Sequence, residues 1–211
     1  MTEIINALST DTTGVRALKA ILQNGYAHAD AKVRNTRRAG VLLPLYLQKN
    51  ELMAIYIRRT RHFLEDGSEA IHSGQIAFPG GKAEAGETLQ ATALREASEE
   101  IALDPEQVEL VGKLGTFVTL SSRIESTVFL GWLREKPDLK KDPREVAAIY
   151  HIPLREIWNQ HQQNIDLDKY ENKIAIHYHW QPPNEKKPIC IWGMTSRVTW
   201  QLFALLQNLT E

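Results

Sequence analysis

Residues 81–103 read GKAEAGETLQATALREASEEIAL and follow directly on the turn Phe78-Pro79-Gly80-Gly81. Glu96, Glu99 and Glu100 are spaced by three and four residues, which on a helix places the three carboxylates within an arc of roughly 100°. Like charges one turn apart cost a helix a few tenths of a kcal/mol per pair, so a purely structural helix gains nothing from the grouping. A hard divalent cation reverses the sign of that effect, because Mg²⁺ and Mn²⁺ favour carboxylate oxygens. The stretch therefore reads as a metal site. A solvated acidic helix is the blander meaning of such composition, but it leaves the Gly-Gly turn and the fixed spacing unexplained.

Working outward, two apolar runs at 40–47 and 52–57 flank Gln48-Lys49-Asn50-Glu51 and predict a hairpin or two neighbouring strands. Residues 60–74 lack a period and read as a loop, and 76–78 as a brief strand. The acidic helix is expected over about 89–101. Segments 108–118, 127–133, 145–151 and 173–180 read as strands, with 189–192 pairing back on the last across the polar PPNEKK turn. Helices are expected at 13–24, capped by Thr10 or Thr12, at 154–160, and at the end of the chain, where Thr195 or Ser196 would cap a helix burying Val198, Leu202, Leu205 and Leu206. Short strands mixed with helices imply a mixed sheet covered on both faces. Residues 1–30 are expected to be an N-terminal helical extension and 31–211 the main domain.

With charged residues at 24% and hydrophobic ones at 43%, the chain has the balance of a globular protein. A formal charge of −1 supplies no general attraction to nucleic acid or acidic membranes. The short basic stretch 32–38 is the whole of the case for nucleic acid. No apolar run nears the ~18 residues that span a bilayer, the N-terminus lacks the pattern of a secretory signal, and Cys190 is the single cysteine. A cytoplasmic protein is the expectation, and a homodimer is left open. Cys190 is expected in a packing role, and tryptophans 180, 192 and 200 either stack on adenine or, as is usual for such residues, pack in the core or an interface. His177 and His179 share a strand face without a third ligand, which argues against zinc.

The stretch resembles the signature of the Nudix hydrolases, G-x5-E-x7-R-E-U-x-E-E-x-G-U, with Gly81, Glu87, Arg95, Glu96, Glu99, Glu100 and Leu103 on their positions. Ala97 stands at a bulky aliphatic position and Ala102 replaces the final glycine. The resemblance implies an α/β/α sandwich with a loop–helix–loop metal site, and hydrolysis of a diphosphate. It assigns Glu96, Glu99, Glu100 and the Gly81 carbonyl to Mg²⁺ or Mn²⁺, and Glu87 with Arg95 to a structural pair. Glu145 is a candidate for an acid from a later loop, set against a solvated glutamate at a strand edge.

The likeness extends further. Arg59-Thr60, Gly74 and Phe78-Pro79-Gly80-Gly81 resemble the segment before the signature in the coenzyme A diphosphatase branch, and Ile191-Trp192-Gly193-Met194-Thr195 resembles that branch's entry to the last helix. Ile57 replaces a threonine, Ala70 replaces an arginine, and the loop 61–71 is longer than in that branch. This implies coenzyme A or its thioesters as substrate, with Arg59, His72, Gly74, Phe78 and Gly80 at the substrate and Arg58 and Arg61 nearby. Two alternatives are another nucleoside diphosphate derivative, such as ADP-ribose or a dinucleotide, and a Nudix module that senses a nucleotide without cleaving it.

Overall fold

The computed structural model describes residues 2–9, 13–25, 27–30, 33–34, 36–119, 121–163, 166–170 and 173–209. The helix caps expected at Thr10 or Thr12 lie outside them. The elements in chain order are α1 (Thr2–Ser9), α2 (Thr13–Gln23), β1 (His28–Ala29), β2 (Arg37–Gln48), β3 (Glu51–Arg59), β4 (Ile76–Ala77), β5 (Gly80–Lys82), α3 (Leu89–Ile101), β6 (Val108–Thr119), β7 (Ile124–Leu133), β8 (Val146–Pro153), α4 (Leu154–Gln163), β9 (Asp166–Tyr170), β10 (Lys173–Trp180), β11 (Ile189–Ile191) and α5 (Gly193–Gln207).

The main sheet is mixed. β2 runs parallel to β7 and antiparallel to β3, while β6–β7 and β3–β8 are antiparallel pairs. Lys49 and Asn50 both take positive φ in the β2–β3 turn, the tight hairpin geometry whose twist matches its strands. β2 and β3 alternate between two buried faces. Val41, Leu43, Leu45, Leu52, Ala54 and Tyr56 enter one core with α1, α2, α4 and α5. Leu42, Tyr46, Met53, Ile55 and Ile57 enter the other beneath α3. Apolar residues at every position are what a strand needs when helices cover both sides, and the expected α/β/α sandwich is the architecture found. Residues 1–30 contribute Ile5, Leu8, Val15, Leu18 and Leu22 to the same core as α5. Among the described residues no helix is long and apolar enough to cross a membrane.

The feature that positions the site is a split in the sheet. β2 pairs with β3 only over Leu45–Gln48. Beyond that point the two strands separate, and each takes a new partner. β5 lies on β2, with Val41 opposite Gly80 and Ala39 opposite Lys82, whereas β4 lies on β3 through Ile57 and Arg58. The peptide between them joins in as well. Leu42 N donates to Pro79 O at 2.9 Å, and Arg59 N donates to Gln75 O at 3.0 Å. The divergent edges are thus satisfied by one intervening segment, as buried backbone groups require.

Several boundaries differ from expectation. β1 and β9 carry too little pattern to be foreseen. α5 starts at Gly193 with Trp192 as its cap residue, and no side chain caps it. The hydroxyl of Thr195 instead donates to Ile76 O at 3.0 Å, and that of Ser196 to Gly193 O. Thr195 thereby ties α5 to β4.

Candidate active site

Helix α3 begins where Thr88 Oγ1 accepts the Ala91 N–H, and it turns Thr92, Ala93, Ala97, Glu100 and Ile101 inward. Small side chains at 93 and 97 allow close approach to β2: a Cβ on Gly40 would lie 2.1 Å from Leu89 O and 2.8 Å from Ala93 N. Ala97, at the bulky position of the resemblance, is buried in the core beneath α3. The helix ends on Ala102 in the left-handed region, φ 53°, its N–H donating back to Ala97 and Ser98 carbonyls. The turn keeps the geometry a glycine would adopt with less strain. Leu103, 1% exposed, anchors the exit in the core beneath α3.

The loop before α3 is locked by Arg95. Its Nε donates to Glu87 Oε1 at 2.9 Å and its Nη2 to Glu87 Oε2 at 3.1 Å, a two-pronged pair. Arg95 also donates to the Lys82 carbonyl and to Glu99, and lies 3.0 Å from Glu96 Oε1. Glu87 accepts further from Glu84 N and Thr92 Oγ1. The guanidinium, followed by these hydrogen bonds, holds the Glu87 carboxyl down at about 2.

The three signature acids occupy graded environments. Glu99 is open to solvent, Glu96 is mostly covered, and Glu100 is 1% exposed. Glu96 presses on Gly81 so closely that a Cβ there would lie 2.3 Å from its carboxyl carbon. Glu100 Oε2 accepts the Gly80 N–H at 2.9 Å and Oε1 the Arg59 guanidinium at 3.2 Å. Burial nevertheless pushes its carboxyl up to about 7; Glu96 and Glu145 push the same way, against Arg59 and the Gly80 N–H. Glu96 is raised too, again chiefly by burial. Both shifts arise chiefly from burial, which disfavours the charged form even with Arg59 and Arg95 close by. Among the described residues no three acidic, imidazole or thiol groups are gathered into a ready cation cage. Arg95 instead occupies the space between Glu87, Glu96 and Glu99.

These groups open onto a cleft of about 790 Å³. Arg59, His72, Phe78, Gly80, Gly81, Glu96, Glu99 and Glu145 all line it, while Glu100 sits beneath Gly80. Glu145, exposed, immediately precedes β8 and makes no salt bridge among the described residues. Its loop is fastened to the end of α3: Asp142 N donates to Glu100 O, and Asp142 O accepts from Glu145 N and Val146 N. His72 is held by a contact to Gln75 Oε1 at 3.0 Å. Phe78 is a core residue as well, with its ring 4.4 Å from Tyr56.

Other expected neighbours lie elsewhere. Gly74 turns the chain at φ +66 beside the Arg61 side chain, outside the cleft lining. Arg58 points away to Glu185 and over the Tyr150 ring. Arg61 pairs with Glu69 near the surface. Of the tryptophans, Trp180 is buried, and Trp192 stands 47% exposed on the cleft wall. The sequence reading missed Arg37, Lys82, Ser122 and Ser126 on the opposite wall; strand alternation counted back from Val41 through Ala39 would have found Arg37.

A helix of acids held by an arginine beneath a split mixed sheet is the arrangement found, and comparison with known proteins gives its class. A family model of the NUDIX domain matches residues 36–173. The chain is 29% identical over 175 residues to the uncharacterized Nudix hydrolase NudL of Photorhabdus laumondii, covering 82% of this chain and 87% of that protein. Against NudL of Yersinia pestis it is 30% identical over 177 residues, covering 83% and 82%. Among solved structures, the Nudix hydrolase RenU of M. smegmatis matches at a TM-score of 0.53 and 14% identity, over 84% of this chain and 89% of that one. A MutT/nudix family protein from Enterococcus faecalis matches at 0.53 and 15%, over 98% and 74%. At such identities these two likenesses speak to the fold alone. The chain belongs to the Nudix hydrolase family.

Proposed function

We propose that this Nudix hydrolase cleaves the diphosphate of coenzyme A or its thioesters, yielding 3′,5′-ADP and 4′-phosphopantetheine or its acyl form. One observation carries the substrate reading. The two segments that resemble the coenzyme A diphosphatase branch, 72–81 and 191–195, lie 119 residues apart at their point of contact yet are joined by Thr195 Oγ1 and Ile76 O. Both line the same cleft as the acids. A resemblance carried by two remote segments that build one wall is harder to dismiss than either alone.

The donors fit a hard divalent cation. Glu96, Glu99 and Glu100 offer only carboxylate oxygens, the donors such an ion prefers, and Gly81 lies against the Glu96 carboxylate. These residues would hold Mg²⁺ or Mn²⁺. When bound, such an ion offsets diphosphate charge and lowers the pKa of water. The protein's own groups do the rest. Arg95 keeps the loop 81–88 against α3, so the acids and Gly81 stay in register. Glu145, unpaired and facing the cleft from a different loop, is the nominated acceptor for the proton of the attacking water. Water attacks one phosphorus, one P–O bond to the bridging oxygen breaks, and that oxygen leaves with the second phosphate.

Product analysis tests the assignment. Coenzyme A incubated with Mg²⁺ or Mn²⁺ should give the two products, and chelator should stop their formation. Intact coenzyme A alongside rapid cleavage of ADP-ribose or a dinucleotide by the same preparation would remove the substrate assignment.

A further inference from the structure

The wall of the cleft opposite the signature helix carries a second basic group that the acids do not use. In β2, Arg37, Ala39 and Val41 alternate onto one face, the face on which Val41 joins the α5 core. Register then fixes their neighbours. Lys82 stands directly opposite Ala39 on β5, Ser126 is the partner of Ala39 on β7, and Ile124 that of Arg37. Residues opposite one another in a ladder share a face, so Arg37, Lys82 and Ser126 all project into the cleft, whose lining includes each of them. Diagonal neighbours of this kind lie roughly 7–8 Å apart, about the distance two cations need to share one phosphate.

Two further observations indicate that this wall awaits an anion. Arg37 and Lys82 make no salt bridge among the described residues. Two like charges on one sheet face repel. Beside them Ser122 Oγ is shielded from solvent yet has no hydrogen-bond partner, an arrangement that costs free energy unless something completes it. Arg37 is already fixed at that turn: its Nη2 donates to Ser122 O at 3.4 Å and its N–H to Arg123 O at 3.0 Å.

We propose that Arg37, Lys82 and Ser122 form a second anion subsite in the cleft, which takes a phosphomonoester of the substrate distinct from the diphosphate that is cleaved. A guanidinium fork, an ammonium and a hydroxyl supply the donors that a dianionic phosphate accepts. Resting on the substrate reading above, the occupant is the 3′-phosphate on the adenosine of coenzyme A. Arg59, by contrast, has Glu100 on its guanidinium.

The test compares adenosine 3′,5′-bisphosphate with adenosine 5′-monophosphate by calorimetric titration of the full chain. Wild type should bind the bisphosphate about tenfold or more tightly, as hydrogen bonds to a charged group allow. Arg37→Ala and Lys82→Ala should each collapse that ratio toward one, and Arg37→Lys should restore part of it, with thermal melts verifying that every variant is folded. A wild type that does not distinguish the two ligands, or variants that weaken both equally, would overturn the subsite. Hydrolysis of coenzyme A and dephospho-coenzyme A, measured in parallel, separates the two claims. Discrimination in binding without cleavage of coenzyme A rejects the proposed function and keeps the subsite. Equal cleavage of both compounds keeps the diphosphatase and rejects the subsite.

Discussion

Gly40 is the point where the helix of acids bears directly on the sheet, and Gly40→Ala should damage stability and activity together. The added Cβ would meet Leu89 O at 2.1 Å, Ala93 N at 2.8 Å and Thr92 Cβ at 2.9 Å. Two of these are backbone atoms of α3, so no side chain can rotate aside. Widening 2.1 Å to an ordinary 3.4 Å contact displaces the first turn of the helix by about 1.3 Å. Overpacking of this kind costs about 1–3 kcal/mol, which for a chain of this length lowers Tm by about 3–10 °C. The same displacement carries Glu96 and Glu99 away from Gly81 and Glu145, and about 1 Å of misplacement is enough to lose ~10²-fold in rate. The assay is a thermal melt together with kcat/KM taken well below the variant's transition. Gly81→Ala is the control: the three atoms nearest its Cβ, at 2.3–2.4 Å, all belong to the carboxyl of Glu96, the end of a side chain that can swing aside, so activity should fall with little change in Tm. If Gly40→Ala melted like wild type and kept full turnover, the helix would not be seated as tightly as its backbone contacts require.

Other outcomes follow from single residues. Burial holds the folded Glu100 carboxyl at about 7 against an ordinary 4.5, so its protonated form adds stability in full below about 4.5, a contribution lost as pH rises to about 7. In chelator, the Tm of wild type should therefore decline between pH 5 and 7.5 relative to Glu100→Gln; parallel curves would contradict this. Ala102→Gly should stabilise by about 0.5–1 kcal/mol, because φ 53° suits glycine, read as a higher denaturation midpoint. Thr88→Ala removes the hydroxyl that accepts Ala91 N–H and should cost about 1 kcal/mol in the same measurement. Glu145→Gln should lower kcat by about 10²-fold or more while KM changes little, as removal of a proton acceptor does.

The acidic helix was legible because its spacing makes physical sense only on one helical arc, and β2, β3 and the buried face of α5 because apolar periodicity survives in a single sequence. What escaped is whatever a partner defines. β5 is Gly-Gly-Lys, a strand only because β2 presents it an open edge, and β1 is two residues laid parallel on β6. Thr195 and Ser196 look like helix caps, yet their hydroxyls find better partners in Ile76 O and Gly193 O. Charge composition gives signs but not pairings. Nothing in the sequence reveals that Arg59, on the cleft lining, also pairs with Glu100, and Arg37 looks like one more residue of a basic connector until register turns it into the cleft.

Glu100 shows how the fold and the chemistry depend on each other. A carboxyl almost wholly removed from solvent is costly to ionise, and the split between β2 and β3 provides two of its partial remedies. The segment that fills the split brings the Gly80 N–H to one oxygen, and the departing end of β3 brings Arg59 to the other. Both remedies are incomplete, since the carboxyl still sits at about 7. A fully satisfied acid at this position would gain little from a cation, and an unsupported one would remain protonated and have nothing to offer it. Partial support leaves Glu100 poised near neutrality, where a small gain in positive charge is enough to ionise it. The split sheet thus supplies both groups that work against the burial of the deepest acid in the cluster.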